Sequence, residues 1–412
     1  LKGDEFASYW QADDGKCYVQ DIDSRTFKIT DKAQVVNRGL AKRQKANEER
    51  IKRFAKRGPK REITGAFSHF TGTKKGLIIL VNFKDVKFGR THTRTMFDNI
   101  ANKIGFTNSL GFKGSVKDYF LAQSNGQFEL DFDVVGPYTL SQNMAYYGAH
   151  SKDGLQDVKP GHMILEACQM ADKDVNYKDY DWDGDGEVDQ VFVIYAGFGE
   201  ADGGSEDTIW PHESQLSTWV SKPYETKDGV SVNTYACGNE NTYDMLGRSR
   251  INGIGTICHE FSHCLGYPDL YDTNYSNFGM GSFDLMCSGS YNGESFCPPN
   301  YSAYEKWVAG WIKPTILDKP ASVKGMQAQD VKYGQAFVVY NDNNKNEYYL
   351  IENRQQNVGI WDKLLPASGM MITHVDYDEN IWEWNNVNTI VNYSNQNGPE
   401  YAYRDNDHQR LT

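Results

Sequence analysis

The chain has 412 residues, 39% of them apolar and 24% charged, with a formal net charge of −12. That is enough sequence for two or three domains with full cores, and the balance fits a soluble globular protein rather than a disordered one. The acidity argues against nucleic acid as a partner and suits calcium binding, and no apolar run approaches the ~20 residues needed to span a bilayer.

The chain opens at Leu1 without a Met or an apolar leader, as expected where a signal peptide has been removed or is left out of the sequence. Short aromatic and β-branched stretches between Phe6 and Ile29, broken at Asp13-Asp14-Gly15, read as a small β-hairpin unit. Basic residues then crowd the stretch from Ala41 to Arg61. Such a run suits a solvated helix or linker, or a protease-accessible connector behind a removable prosegment. Residues 1–62 are therefore set apart as prosegment and basic linker. The seven cysteines are an odd number, scattered from Cys17 to Cys297, which fits buried free thiols better than a disulfide framework, with a Cys287–Cys297 bridge as the alternative.

A catalytic domain of α+β class is expected over 63–313. Leu77-Ile78-Ile79-Leu80-Val81 reads as a buried strand and Thr93 to Asn102 as an amphipathic helix. Ser115 to Gln123 reads as a serine-capped helix, Phe128 to Val135 as a strand ending at Gly136-Pro137, and Met163 to Ala171 as a helix. A second buried strand follows at Val191 to Tyr195. Just before it lies Asp181-Trp182-Asp183-Gly184-Asp185-Gly186-Glu187-Val188-Asp189. Alternating carboxylates with a glycine at the sixth position match the start of a calcium loop. Asp181, Asp183, Asp185 and Asp189 would donate side-chain oxygens and Glu187 its backbone carbonyl. The twelfth position is Phe192 where an EF-hand has glutamate, so the loop belongs to another fold and is expected to play a structural role.

The densest signal is His259-Glu260-Phe261-Ser262-His263-Cys264-Leu265-Gly266-Tyr267-Pro268-Asp269. On a helix, His259 and His263 project from one face and can share one Zn²⁺, with Glu260 beside them as general base. Gly266 can end the helix in a left-handed conformation and turn the chain back, so that Asp269 supplies a third ligand and leaves a fourth position open. Asp272 is its nearest rival, with His212 and His374 as other possible third ligands. Met286 follows in a Gly/Ser-rich context suited to the methionine turn that supports the metal ligands in metzincins. Tyr291 is a candidate to stabilise a tetrahedral oxyanion. From 314 to 412 the chain turns β-rich, with strands expected at Ala336 to Tyr340, Glu347 to Glu352 and Met370 to Val375.

Together these residues resemble the immune inhibitor A-type secreted metalloproteases of bacteria. The resemblance rests on His259 to Asp272, on Asp181 to Gly197, and on Asp284-Leu285-Met286 with Gly289-Ser290-Tyr291. It continues through Ser302 to Lys306, Gly310-Trp311, Tyr349 to Arg354 and His374-Val375-Asp376. It implies a metzincin-like zinc endopeptidase acting on protein or peptide substrates, secreted, periplasmic or at the cell surface. The chain would be a latent zymogen inhibited by its own prosegment, with Cys17 as a conceivable thiolate cap. His259, His263 and Asp269 carry over as zinc ligands and Glu260 as catalytic base. Tyr291 lies five residues after Met286, where a metzincin tyrosine follows two after. Two other readings stay open: a catalytically silent surface-binding protein on a zinc protease scaffold, and a cell-wall amidase.

Overall fold

The computed structural model describes residues 2–4, 7–20, 26–35, 37–39, 48, 70–150, 157–244, 246–272, 279–330, 332, 334–378, 381–382, 385 and 387–388. The basic connector, apart from Glu48, lies outside the described residues, as do residues 273–278 and the chain from 389 onward. The chain falls into two compact units. One comprises Leu1–Arg53, Lys75–Asp98 and Phe132–Asn252, the other Phe54–Lys74, Asn99–Asp131 and Gly253–Thr412.

In the first unit, strands Lys2–Asp4, Ala7–Gln11, Cys17–Gln20 and Phe27–Thr30 pair antiparallel in sequence order. Their small core holds Ala7, Tyr9, Cys17 and Val35, so the Cys17 thiol is packed there as an apolar side chain. The main sheet runs in the order Ser249–Ile251, Thr234–Tyr243, Val191–Phe198, Gly72–Asn82, Phe128–Thr139, with His212–Gln215 also paired to Thr234–Tyr243. Val191–Phe198 is parallel to both neighbours, Val191 lying opposite Leu77 on one side and Tyr235 on the other. Parallel central strands are covered on both faces, which is why Leu77 to Val81 and Val191 to Tyr195 read as unbroken apolar runs.

Helix Pro160–Ala171 starts with proline at its first turn and buries Met163, Ile164, Ala167, Cys168 and Ala171. This stripe packs into one core with Leu77, Ile79, Val81, Val191 and Val193. The strand expected to stop at Val135 continues through Gly136-Pro137 to Thr139. It is an edge strand, so Pro137 forfeits no ladder bond needed by a second neighbour.

In the second unit, helix Val116–Gln123 begins at a complete capping box. The Ser115 hydroxyl accepts from the Asp118 amide at 3.1 Å, and the Asp118 carboxylate accepts from the Ser115 amide at 2.9 Å. Its buried Tyr119 and Phe120 join Phe128, Phe261, Tyr301 and Trp311 in an aromatic core of mostly edge-to-face contacts. The C-terminal strands Thr315–Ile316, Ala336–Tyr340, Glu347–Arg354 and Gly369–Asp376 form one sheet in that order. Glu347–Arg354 buries alternate residues, the mark of a sheet covered on one face. Among the described residues no helix is long and apolar enough to cross a membrane.

Candidate metal centre

The helix Gly255–Cys264 is placed by close backbone approach at its start. A Cβ on Gly255 would lie 1.8 Å from the Ser290 carbonyl oxygen, and one on Gly253 would lie 2.0 Å from that of Ser295. Glycine at both positions lets the helix abut the Ser290–Ser295 segment, and the Gly255 amide donates to Ser295 O at 2.9 Å. At the other end Gly266 takes φ 87°, and its amide donates to His263 O at 2.9 Å, so the chain reverses.

That reversal brings Asp269 back over the helix. Its Oδ1 lies 3.2 Å from His259 Nε2 and 3.4 Å from His263 Nε2. Glu260 stands beside them, its Oε2 3.9 Å from His263 Nε2. One ligand atom each of His259, Glu260 and His263 fits within 4.8 Å of the others, but Asp269 makes the closer approach to both imidazoles. All four side chains are buried.

The imidazoles are held by their far nitrogens. His259 Nδ1 donates to Leu285 O at 2.8 Å and His263 Nδ1 to Tyr267 O at 2.8 Å. A carbonyl accepts only from N–H, so each neutral ring presents its Nε2 lone pair inward, the tautomer a metal requires. Asp269 is clamped by Asn385, whose Nδ2 donates to Asp269 Oδ2 at 2.7 Å while its Oδ1 accepts from the Asp269 amide at 2.6 Å. Asp269 Oδ1 itself is buried with no hydrogen-bond partner among the described residues. The field at this point calls for positive charge. Burial pushes His259 down, yet Asp269 and Glu260 outweigh it and hold the ring up at about 9. Burial pushes Asp269 up, yet His263 and His259 hold it well below the ordinary carboxylate range. Once a bound cation displaces the His259 proton, two inward Nε2 lone pairs and one orphaned carboxylate oxygen fit Zn²⁺ as a three-residue donor set.

The turn beneath is built to hold this arrangement. Met286 is fully buried, its carbonyl accepts from the Leu270 amide at 2.7 Å, and its amide donates to Asp284 Oδ1 at 2.7 Å. Leu285 O and Met286 O thus fix His259 and the chain beside Asp269 from successive residues. Burial and the neighbouring Asp284 push the Glu305 carboxyl well above its ordinary range.

The two rival histidines are engaged elsewhere. His212 uses both ring nitrogens, with Trp210 O at 2.6 Å and the Tyr235 hydroxyl at 2.9 Å, and burial pushes it down to about 4. His374 Nε2 lies 3.1 Å from Glu347 Oε1 and the ring stacks on Tyr349. Asp272 is buried, and the carboxylate oxygen at 3.2 and 3.4 Å from the two imidazoles is that of Asp269. Tyr291 ends the short turn Ser288–Tyr291 and is 53% exposed.

Sequence reasoning gave no role to Asn385, which lies 116 residues from Asp269 in a polar stretch with no local pattern. We expect Asn385→Ala to weaken metal affinity by about 10–100-fold, as loss of a ligand's own support does. Competition with a chelator measures this, and an unchanged affinity would remove Asn385 from the site.

The acidic loop of the first unit folds around its own amides. Asp181 accepts from the amides of Gly184, Asp185 and Gly186 at 2.8, 3.2 and 3.0 Å, and Asp189 from that of Trp182 at 2.6 Å. Gly184 and Gly186 take φ 75° and 88°, which the tight turn requires. Oxygens of Asp181, Asp183 and Asp189 come within 4.8 Å of one another. The Asp185 carboxylate accepts from the Glu187 amide at 2.8 Å.

Residues 71–316, more than half of the chain, match the family described as immune inhibitor A peptidase M6, catalytic domain. The chain belongs to that family. It is similar to the pre-pro-metalloprotease PrtV of Vibrio cholerae serotype O1, at 26% identity over 281 residues, covering 59% of this chain and 30% of the relative. It is also similar to the immune inhibitor A of Bacillus thuringiensis subsp. alesti, at 26% identity over 296 residues, covering 61% of this chain and 42% of the relative. The chain thus spans less than half the length of either. The M6 match covers the acidic loop, the metal helix and the Met286 turn, and the mixed helix-and-sheet architecture is consistent with its α+β class.

Proposed function

We propose that this M6 family member is a zinc-dependent endopeptidase with His259, His263 and Asp269 as metal ligands and Glu260 as general base. The observation that carries the reading is the convergence of both Nε2 atoms on Asp269 Oδ1, with Glu260 at their side. A divalent cation held there would supply Lewis acidity toward a peptide carbonyl and a water. Glu260 accepts a proton from the attacking water and returns it to the leaving amine nitrogen. Leu285 O, Tyr267 O and Asn385 keep the ligands in place throughout, and the Met286 turn supports a metzincin-like reading of the centre. Casein cleavage that a chelator abolishes and Zn²⁺ restores is the expected result. Cleavage that survives complete metal removal would overturn the reading.

Latency and secretion extend the same proposal. One similar protein is named a pre-pro-metalloprotease, and in this chain an N-terminal antiparallel sheet precedes the region of the family match. If residues 1–62 form an inhibitory prosegment, cutting near Arg57 or Arg61 raises casein cleavage. Equal activity before and after the cut would refute latency. For the loop Asp181–Asp189 we propose a structural Ca²⁺, since the loop leads straight into the core strand Val191–Phe198. Calcium should then raise the melting temperature of the parent and leave that of Asp183→Asn/Asp185→Asn unmoved. An equal rise in both would rule the site out.

A further inference from the structure

We propose a second divalent-cation site, separate from the metal helix, formed by His150, Asp157 and Glu200, all in the first unit. One donor atom from each side chain lies within 4.8 Å of the other two. His150 Nε2 is 2.9 Å from Glu200 Oε1. The three residues are 6%, 1% and 3% exposed, so two carboxylates and an imidazole share a space closed to water.

The backbone around them is built. His150 and Asp157 face each other across an antiparallel bridge, reinforced by the Val158 amide donating to Ala149 O at 3.0 Å. Glu200 opens the turn Glu200–Asp202, and its amide donates to Ile209 O at 3.0 Å. The His150 amide donates to Glu206 O at 3.3 Å. Asp157 Oδ2 accepts from the Trp210 amide at 2.9 Å, whereas its Oδ1 is buried with no hydrogen-bond partner among the described residues. Four separate chain segments are therefore tied together by hydrogen bonds around one point.

The metal helix shows the same pattern: an imidazole Nε2 facing a carboxylate oxygen, and a buried carboxylate oxygen without a hydrogen-bond partner among the described residues. With both carboxylates ionised, one negative charge would stay unbalanced even beside a protonated His150, at a cost that burial makes large. Burial and the neighbouring Glu200 accordingly push Asp157 well above the ordinary carboxylate range. A divalent cation relieves that conflict, accepting all three donors. One nitrogen with carboxylate oxygens suits zinc, manganese or cobalt, whereas calcium takes an all-oxygen shell.

The test is zinc content after gel filtration of the full chain in excess calcium, which keeps the acidic loop from taking zinc. The probe is Zn²⁺, and the comparison is between the parent, Asp157→Asn and Glu200→Gln. Asp157→Asn keeps the side-chain size and the oxygen that accepts from Trp210, and it removes the buried charge. The metal-free variant should therefore fold and melt no lower than the metal-free parent. The parent should carry one zinc more than either variant, and zinc should raise its melting temperature more than theirs. Equal zinc content in the parent and a folded Asp157→Asn overturns the site. Should Glu200→Gln fail to fold, His150→Gln supplies the second comparison with the same expected loss of one ion.

Discussion

Glu260→Ala is expected to lose peptidase activity by about 10²–10⁴-fold while its zinc content and melting temperature stay close to those of the parent. The separation follows from geometry. Glu260 lies beside the proposed ligands, but Asp269 makes the closer approach to both imidazoles, and carbonyls and Asn385 hold His259, His263 and Asp269. Removing Glu260 takes away the proton acceptor and leaves the donor set intact. His263→Ala should instead lose both metal and activity, since it deletes a donor. An active Glu260→Ala enzyme would assign the base elsewhere, and one that loses its zinc would make Glu260 a ligand.

Asp362→Ala should destabilise the protein by about 3–5 kcal/mol in denaturant unfolding, because it removes the two charge-assisted hydrogen bonds of a buried guanidinium. Among the described residues, that leaves Arg354 only Glu352 Oε2, at 3.9 Å, as a carboxylate neighbour. Arg354 donates to Asp362 through Nε and Nη2, each at 2.7 Å, and to Asn300 O at 3.0 Å, with both side chains closed to solvent. Burial also pushes the neighbouring Lys306 down to about 8, although Asp362 holds it up in part. From this network a short relay reaches the metal centre. Asp362 Oδ1 accepts from the Asn300 amide at 3.0 Å, ahead of the capped helix Ala303–Val308. In that helix Glu305 O accepts from the Tyr267 hydroxyl at 2.8 Å, and Tyr267 O accepts from His263 Nδ1 at 2.8 Å. The same variant should therefore hold zinc less tightly than the parent. A cost below about 1 kcal/mol would mean water reaches Arg354 once Asp362 is gone.

How much of this was legible in the sequence depended on how local each signal was. The runs Leu77 to Val81 and Val191 to Tyr195, the Ser115 cap and the metal helix were all readable, since each is fixed by neighbours within a few turns or one strand. Gly266 was readable as a reversal because a positive φ at a helix end is a local demand. The strand through Pro137 was not, because its edge position depends on partners distant in sequence. Asn385, the Arg354 network and the His150 cluster were hidden for the same reason. Their partners are polar residues of ordinary type, separated by long stretches of chain and brought together by tertiary packing. His150 in particular carries no motif, and its meaning appears once Asp157 and Glu200 are placed beside it.

The central claim is that His259, His263 and Asp269 hold a zinc ion on which peptide hydrolysis depends. The most direct measurement is casein cleavage by the metal-stripped chain, titrated with Zn²⁺, for the parent and Asp269→Ala side by side. The parent should regain activity as zinc fills the site, and Asp269→Ala should need far more zinc and recover little. Equal recovery by both, or parent activity before any zinc is added, would contradict the account.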